Sequence, residues 1–214
     1  MAEPVSIRPQ TCKEEMANSI SHGLGFLGAL AITPVLIISA IPRGAGAITG
    51  ASIFGASMII LYLASTLYHA LPPGRTKRLF QVLDHSAIFL LIAGTYTPFT
   101  LSILPDAWGW TIFGMVWSLA VLGVVLKSVQ GPGTGPLSVA LYLGMGWLAV
   151  LAVKPLWDSM SGWGLFWLLG GGVMYSAGVL FFVYDHRIRF SHFIWHLFVV
   201  AGTACHVVAL LVCI

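Results

Sequence analysis

His192 and His196 stand four residues apart near the start of the last apolar segment, in Ser191-His192-Phe193-Ile194-Trp195-His196. On a helix that spacing projects both imidazoles from one face, about one turn apart. Inside an apolar span two such side chains are costly unless they have partners. Similar residues recur at helical spacing elsewhere: Glu15, Asn18 and His22 at intervals of three and four, Ser65 and His69 at four, then Asp84. Three imidazoles, His69, His192 and His196, can hold Zn2+ and leave a fourth tetrahedral position for water, the arrangement of catalytic zinc. The ion lowers the pKa of that water toward neutrality. Asp84 is then suited to take its proton as general base, and Ser65 to hydrogen-bond a ligand or a developing oxyanion. Zn2+ is the default for imidazole ligands without redox demands.

Plainer roles fit the same residues. A histidine pair at i, i+4 also serves interhelical hydrogen bonding. Asp84 follows Arg75, Lys77 and Arg78 and could form a surface ion pair with them. Glu15, Asn18 and His22 read as hydrogen-bonded support for the ligands. His85 points roughly 100° from Asp84 around a helix and reads as a packing or interfacial histidine, and His186, in a basic loop, as solvated. His206 lies fourteen residues beyond His192, on nearly the same face but about 20 Å along the axis. That is too far to share one metal, though near enough to line a common cavity.

The elements that must position these groups follow from composition. The 214 residues are 58% hydrophobic and 8% charged, with a mean hydropathy of +0.93. Soluble domains average about 25% charged residues, so the chain reads as an integral membrane protein. Seven apolar segments, each near the ~20 residues that cross a hydrocarbon core, run over 16–41, 47–71, 80–104, 108–129, 136–155, 162–184 and 191–213. Pro- and Gly-rich breaks separate them, including Lys154-Pro155 and the Gly131–Pro136 loop. The expected fold is an all-α seven-helix membrane bundle, residues 15–214 forming one domain behind a short tail, 1–14, that includes Pro4 and Pro9. Residues 1–19 lack a signal-peptide pattern, so the first apolar run is expected to remain as an anchor. The net charge of +3 gives no reason to expect nucleic acid, and Cys12, Cys205 and Cys213 show no CxxC spacing.

Eight of the ten basic residues (Arg8, Lys13, Arg75, Lys77, Arg78, Lys127, Arg187 and Arg189) fall on the N-terminal side of this topology, against Arg43 and Lys154 on the other. The positive-inside rule then puts the N-terminus in the cytoplasm and the C-terminus outside, in a cell (inner or plasma) membrane. Glu15, Asn18, His22, Ser65, His69, Asp84, His192 and His196 are thereby expected in one layer near the cytoplasmic face. Trp108, Trp110, Trp157 and Trp163 fall at outer boundaries as aromatic anchors. Gly144-Met145-Gly146 and Gly170-Gly171-Gly172 suggest close helix packing. The Gly131–Pro136 loop lacks the Lys-Ser/Thr of a phosphate-binding loop.

Glu15-x-x-Asn18-x-x-x-His22, Ser65-x-x-x-His69 with Asp84, and His192-x-x-x-His196, in that order over nearly the whole chain, resemble the three-motif pattern of the hemolysin III family. That family is the bacterial branch of the progestin and adipoQ receptors and is distantly similar to alkaline ceramidases. The stretch from Leu83 to Phe99 also resembles its third span. The resemblance implies seven helices with a cytoplasmic N-terminus, zinc held by His69, His192 and His196, and a water-binding Asp84. It further implies hydrolysis of a lipid amide or ester within the bundle, with membrane lipids as partners and a role in lipid homeostasis. Two other expectations belong to different classes: a non-enzymatic membrane sensor with structural zinc, and a pore-forming cytolysin. The last span has no lysine for a retinal Schiff base.

Overall fold

The computed structural model describes residues 8–131 and 135–214. Pro4 of the tail, and Pro132, Gly133 and Thr134 of the Gly/Pro-rich loop, lie outside the described residues. The helices are α1 (Cys12–Ala40), α2 (Ala45–Ala70), α3 (Arg75–Ser102), α4 (Asp106–Gln130), α5 (Pro136–Gly146), α6 (Val153–Ser159), α7 (Gly162–Val183) and α8 (Ser191–Cys213). A 3-10 segment, Leu148–Ala152, joins α5 to α6, and these three together make one span. The architecture is thus an all-α bundle of seven helices long and apolar enough to cross a membrane.

Successive helices α1 to α4 pack side by side, α7 pairs with α8, and α8 returns to lie against α1. The fifth span touches α3, α4 and α7 only lightly. α2, α3 and α8 are the inner helices, whereas α1, α4 and the fifth span turn most of their side chains outward. Leu24 and Ile38 of α1, Val121 of α4 and Phe166 of α7 are among the exposed large apolar residues, as expected of surfaces facing acyl chains. Trp108, Trp110, Trp157 and Trp163 are exposed as well; they lie near the start of α4, on α6 and near the start of α7.

Three boundaries differ from the sequence reading, each for a physical reason. α1 starts at Cys12, because Thr11 caps it: Thr11 Oγ1 accepts from Glu14 N while Glu14 Oε2 accepts from Thr11 N at 2.9 Å, a reciprocal capping box. α3 starts at Arg75, so Arg75, Lys77 and Arg78 occupy its first turns rather than a loop. The fifth span runs on past Lys154-Pro155 to Ser159, and its break comes earlier, at Trp147. Pro155 lacks an N–H and would clash with the carbonyl of Leu151, so it fits only in the first turn of a new helix. The helix must therefore restart at Val153.

Close packing occurs at some of the glycines and not at others. A Cβ on Gly171 would meet His206 Nε2 at 2.5 Å, but Gly144 and Gly146 have nothing within 4 Å; the latter pair mark the end of α5 instead of a helix contact. At Gly50 a Cβ would fall 2.4 Å from Pro98 Cα, a backbone atom, so α2 and α3 approach as closely as they do only because the position is glycine. Gly50→Ala is expected to force the two helices apart and destabilise the fold by about 1–3 kcal/mol. The control Gly28→Ala, with open space around it, should leave stability unchanged. Thermal unfolding in detergent measures both; equal midpoints for the two variants would contradict the packing assigned to Gly50.

Candidate metal centre

Four helices deliver polar side chains to one end of the bundle. α1 brings Glu14, Glu15, Asn18, Ser21 and His22 from its first turns, and α2 brings Ser65 and His69 from its last two. α3 brings Asp84, and α8 brings His192 and His196 from its first two turns. His69, His192 and His196 are buried, and one ring nitrogen of each lies within 4.8 Å of the others, a group able to hold a metal ion. Their rings stand 4.8–5.1 Å apart between centroids.

Hydrogen bonding specifies which nitrogen each ring has to spare. His69 Nδ1 lies 2.7 Å from Glu15 Oε2, His192 Nδ1 lies 3.1 Å from Asp185 Oδ2, and His196 Nδ1 lies 3.2 Å from the Asn18 carbonyl and 3.1 Å from Ser21 Oγ. Carboxylate and carbonyl oxygens only accept, so each Nδ1 carries the proton and each Nε2 keeps its lone pair. For His69, Asn18 Nδ2 also approaches Nδ1, at 3.5 Å; the much shorter carboxylate contact decides the tautomer. His69 Nε2 is buried with no hydrogen-bond partner among the described residues. Three imidazoles, each oriented through Nδ1 by an oxygen and each with Nε2 uncommitted, form the donor set that zinc takes, with its customary outer hydrogen bonds. The residues fit the ion.

The remaining candidates surround these three. Glu15 uses both oxygens, Oε2 on His69 and Oε1 on Lys77 at 3.0 Å; Lys77 also donates to the Tyr68 carbonyl. His22 stacks on His196, centroids 3.5 Å apart and planes 4° from parallel, with its Nδ1 2.7 Å from Ser65 Oγ. Ser65 is fully buried and its hydroxyl also faces the Asp84 carboxyl. Asp84 itself is buried, 6% exposed, rather than paired at the surface. His85 is buried in the helix packing, its carbonyl accepting from Tyr142 OH. His186 is half-buried and accepts from Arg187 Nε.

Asp84, His22, His192 and His196 end one side of a cavity of about 340 Å³. It runs on between α3, the fifth span, α7 and α8 past Leu91, Phe99 and Val179 to Leu104 and Leu156. Apart from this polar end its walls are almost entirely apolar.

Sequence reasoning overlooked Asp185, Ser21 and Glu14. Asp185 lies seven residues before His192, across a turn; the signal available was that metal-ligating histidines usually donate their second N–H to a carboxylate. Ser21 lies three residues after Asn18 and so on the same face; that spacing was the signal available for it. Glu14 was marked by Thr11-x-x-Glu14, a capping-box spacing. Its carboxylate also accepts from Arg8 at 2.6 and 2.9 Å and from Phe190 N at 2.9 Å, tying the start of α1 to the start of α8.

Comparison with known proteins agrees with this arrangement of motifs. A family model described as haemolysin-III related matches residues 10–207. Hemolysin-3 of Bacillus cereus is 43% identical over 205 residues, covering 95% of this chain and 93% of its own. The hemolysin-3 homolog of Bacillus subtilis is 47% identical over 195 residues, 91% of each. The human monocyte to macrophage differentiation factor is 28% identical over 209 residues, 94% of this chain and 84% of its own. No solved structure matches the chain. Matched from the first turn of its first helix into its last, the chain belongs to the haemolysin III-related family.

Proposed function

We propose that this multi-pass membrane protein is a zinc-dependent hydrolase acting on a lipid amide or ester. The observation that carries the reading is three buried imidazoles, oriented through Nδ1, beside a buried carboxylate at the end of an apolar cavity. His69, His192 and His196 would hold the ion through Nε2. Bound there, zinc supplies a Lewis acid that acidifies a water and polarises a carbonyl. Asp84 takes the proton that the water gives up and returns it to the amine or alcohol that leaves. Ser65, held between His22 and Asp84, has one proton to give: it fixes the carboxyl, and turns to the reacting oxygen once Asp84 is protonated. Glu15, Asn18, Ser21 and Asp185 hold the three rings, and the apolar cavity takes the acyl chain. The bias of basic residues toward this end of the bundle supports a cytoplasmic N-terminus and a centre near the inner leaflet. Turnover of a membrane lipid there would serve membrane composition.

Elemental analysis of the purified protein tests the metal: about one zinc per chain is expected, with most of it lost in His69→Ala and His192→Ala. Unchanged content in both variants would remove the centre. Asp185→Asn keeps the three ligands but weakens the acceptor for His192 Nδ1, and should cost about 10- to 100-fold in zinc affinity, read by chelator competition. Asp84→Asn should retain zinc while fatty-acid release from a panel of amide and ester lipids falls by about 10²–10⁴. Zinc-loaded protein with no release from any lipid would leave the sensor with structural zinc as the better account.

A further inference from the structure

We propose that the cavity carries a second polar subsite, at His206, which recognises a hydroxyl part-way along the chain of the bound lipid. The inference rests on the acyl-chain reading above and adds a specificity to it. His206 lies on the cavity wall in the middle of α8, 7% exposed, and its buried Nδ1 has no hydrogen-bond partner among the described residues. Its ring lies against Gly171, where any side chain would collide with it, and faces Tyr175 at 5.4 Å between centroids.

Hydroxyls are near, but their protons are spent. Thr203 Oγ1 donates to the Val199 carbonyl at 2.9 Å and accepts from Tyr62 OH at 2.8 Å. Having given its one proton to Val199, Thr203 can only accept from Tyr175 OH, also at 2.8 Å. These hydroxyls bond to one another, to Thr95 and to the Val199 carbonyl, and none of them is the partner of His206 Nδ1. Buried polar atoms in folded proteins are nearly always paired, and an unpaired one in an apolar wall is costly. An imidazole offers one donor nitrogen and one acceptor nitrogen; a hydroxyl can pair with either, where a methylene can pair with neither.

The spacing sets where on the ligand that hydroxyl belongs. His206 lies ten residues beyond His196, about 15 Å along the helix at 1.5 Å per residue. An extended chain advances about 1.2 Å per bond, so a head group at the three-histidine end puts roughly its twelfth bond beside His206.

The test is displacement of a fluorescent fatty acid from the zinc-loaded, full-length protein by stearate and by hydroxystearates. A hydroxyl about twelve carbons from the carboxylate should tighten binding about fivefold over stearate, while a hydroxyl next to the carboxylate should give no such gain. In His206→Phe the preference should vanish with stearate affinity retained. Equal binding of stearate and the mid-chain hydroxystearate by the parent protein, or a preference that survives His206→Phe, overturns the subsite while the acyl cavity stands. Failure of every fatty acid to displace the probe overturns the cavity reading and the subsite with it.

Discussion

Lipid offers no hydrogen bonds, so a nitrogen or oxygen buried in a membrane bundle must find its partner within the protein. The polar end of this molecule is organised by that demand. Glu14 takes five donors, from Arg8, Thr11 and Phe190. Glu15 divides its oxygens between Lys77 and His69. Every Nδ1 of the three clustered histidines is tied to an oxygen. The buried atoms left without a hydrogen-bond partner at this end include His69 Nε2, His22 Nε2 and Asn18 Oδ1. The His69 ring, with those of His192 and His196, forms the one group at this end able to hold a metal ion among the described residues.

α1 supplies none of the three histidines, yet it positions all of them. Glu15 reaches across to His69 on α2. Asn18 and Ser21 reach His196 on α8. Glu14 holds the backbone N–H of Phe190, the residue that immediately precedes α8. Phe190 adopts φ 58°, ψ 10°, a left-handed conformation costing about 1–2 kcal/mol for a residue other than glycine. The bond from its N–H to a carboxylate, itself buried and charge-paired, helps hold that conformation and so fixes where α8 begins. His192 and His196 inherit their placement from that point, being rigidly spaced on the same helix. A centre assembled from distant parts of the chain thus depends on one helix that acts as a template.

Much of this was legible beforehand, because membrane spans announce themselves. Seven apolar runs with Pro/Gly punctuation became seven spans, and the helical spacing of His192 with His196, and of Ser65 with His69, placed each pair on a common face. Convergence of the four helices at one end followed from topology alone. What was not legible depends on tertiary contact. Asp185 was visible only as part of a turn, since its role arises from how the loop folds back onto α8. Ser21, three residues after Asn18, shares its face, but only the contact with His196 shows what it does. Glu14 reads as one half of a cap until Phe190 is seen beside it. Asp84 could have been a surface partner of the nearby cations; burial decided otherwise, and Lys77 took Glu15 instead. The run of apolar residues in the fifth span hid the break at Trp147, because hydropathy is indifferent to whether a helix is continuous.

That break bears on what the cavity is for. Non-helical backbone at membrane depth is tolerated where it is covered by protein or lines a cavity. Here Tyr96 OH donates to the Gly146 carbonyl and accepts from Ala149 N, capping both ends of the interrupted turn, while Trp147 Nε1 donates to Ser176 on α7. Gly146, Trp147, Ala149 and Val150 all border the cavity. A gap left by poor packing would not need a tyrosine and a tryptophan to stabilise its wall, so the space is a built feature of the fold. Its lining is chiefly aliphatic and aromatic, which suits a hydrocarbon chain and gives an ion or a column of water little to bind along the way. Most of the histidine and carboxyl groups that face it gather at its end, with His206 alone part-way along among the described residues, and not in the continuous file that a pore would need.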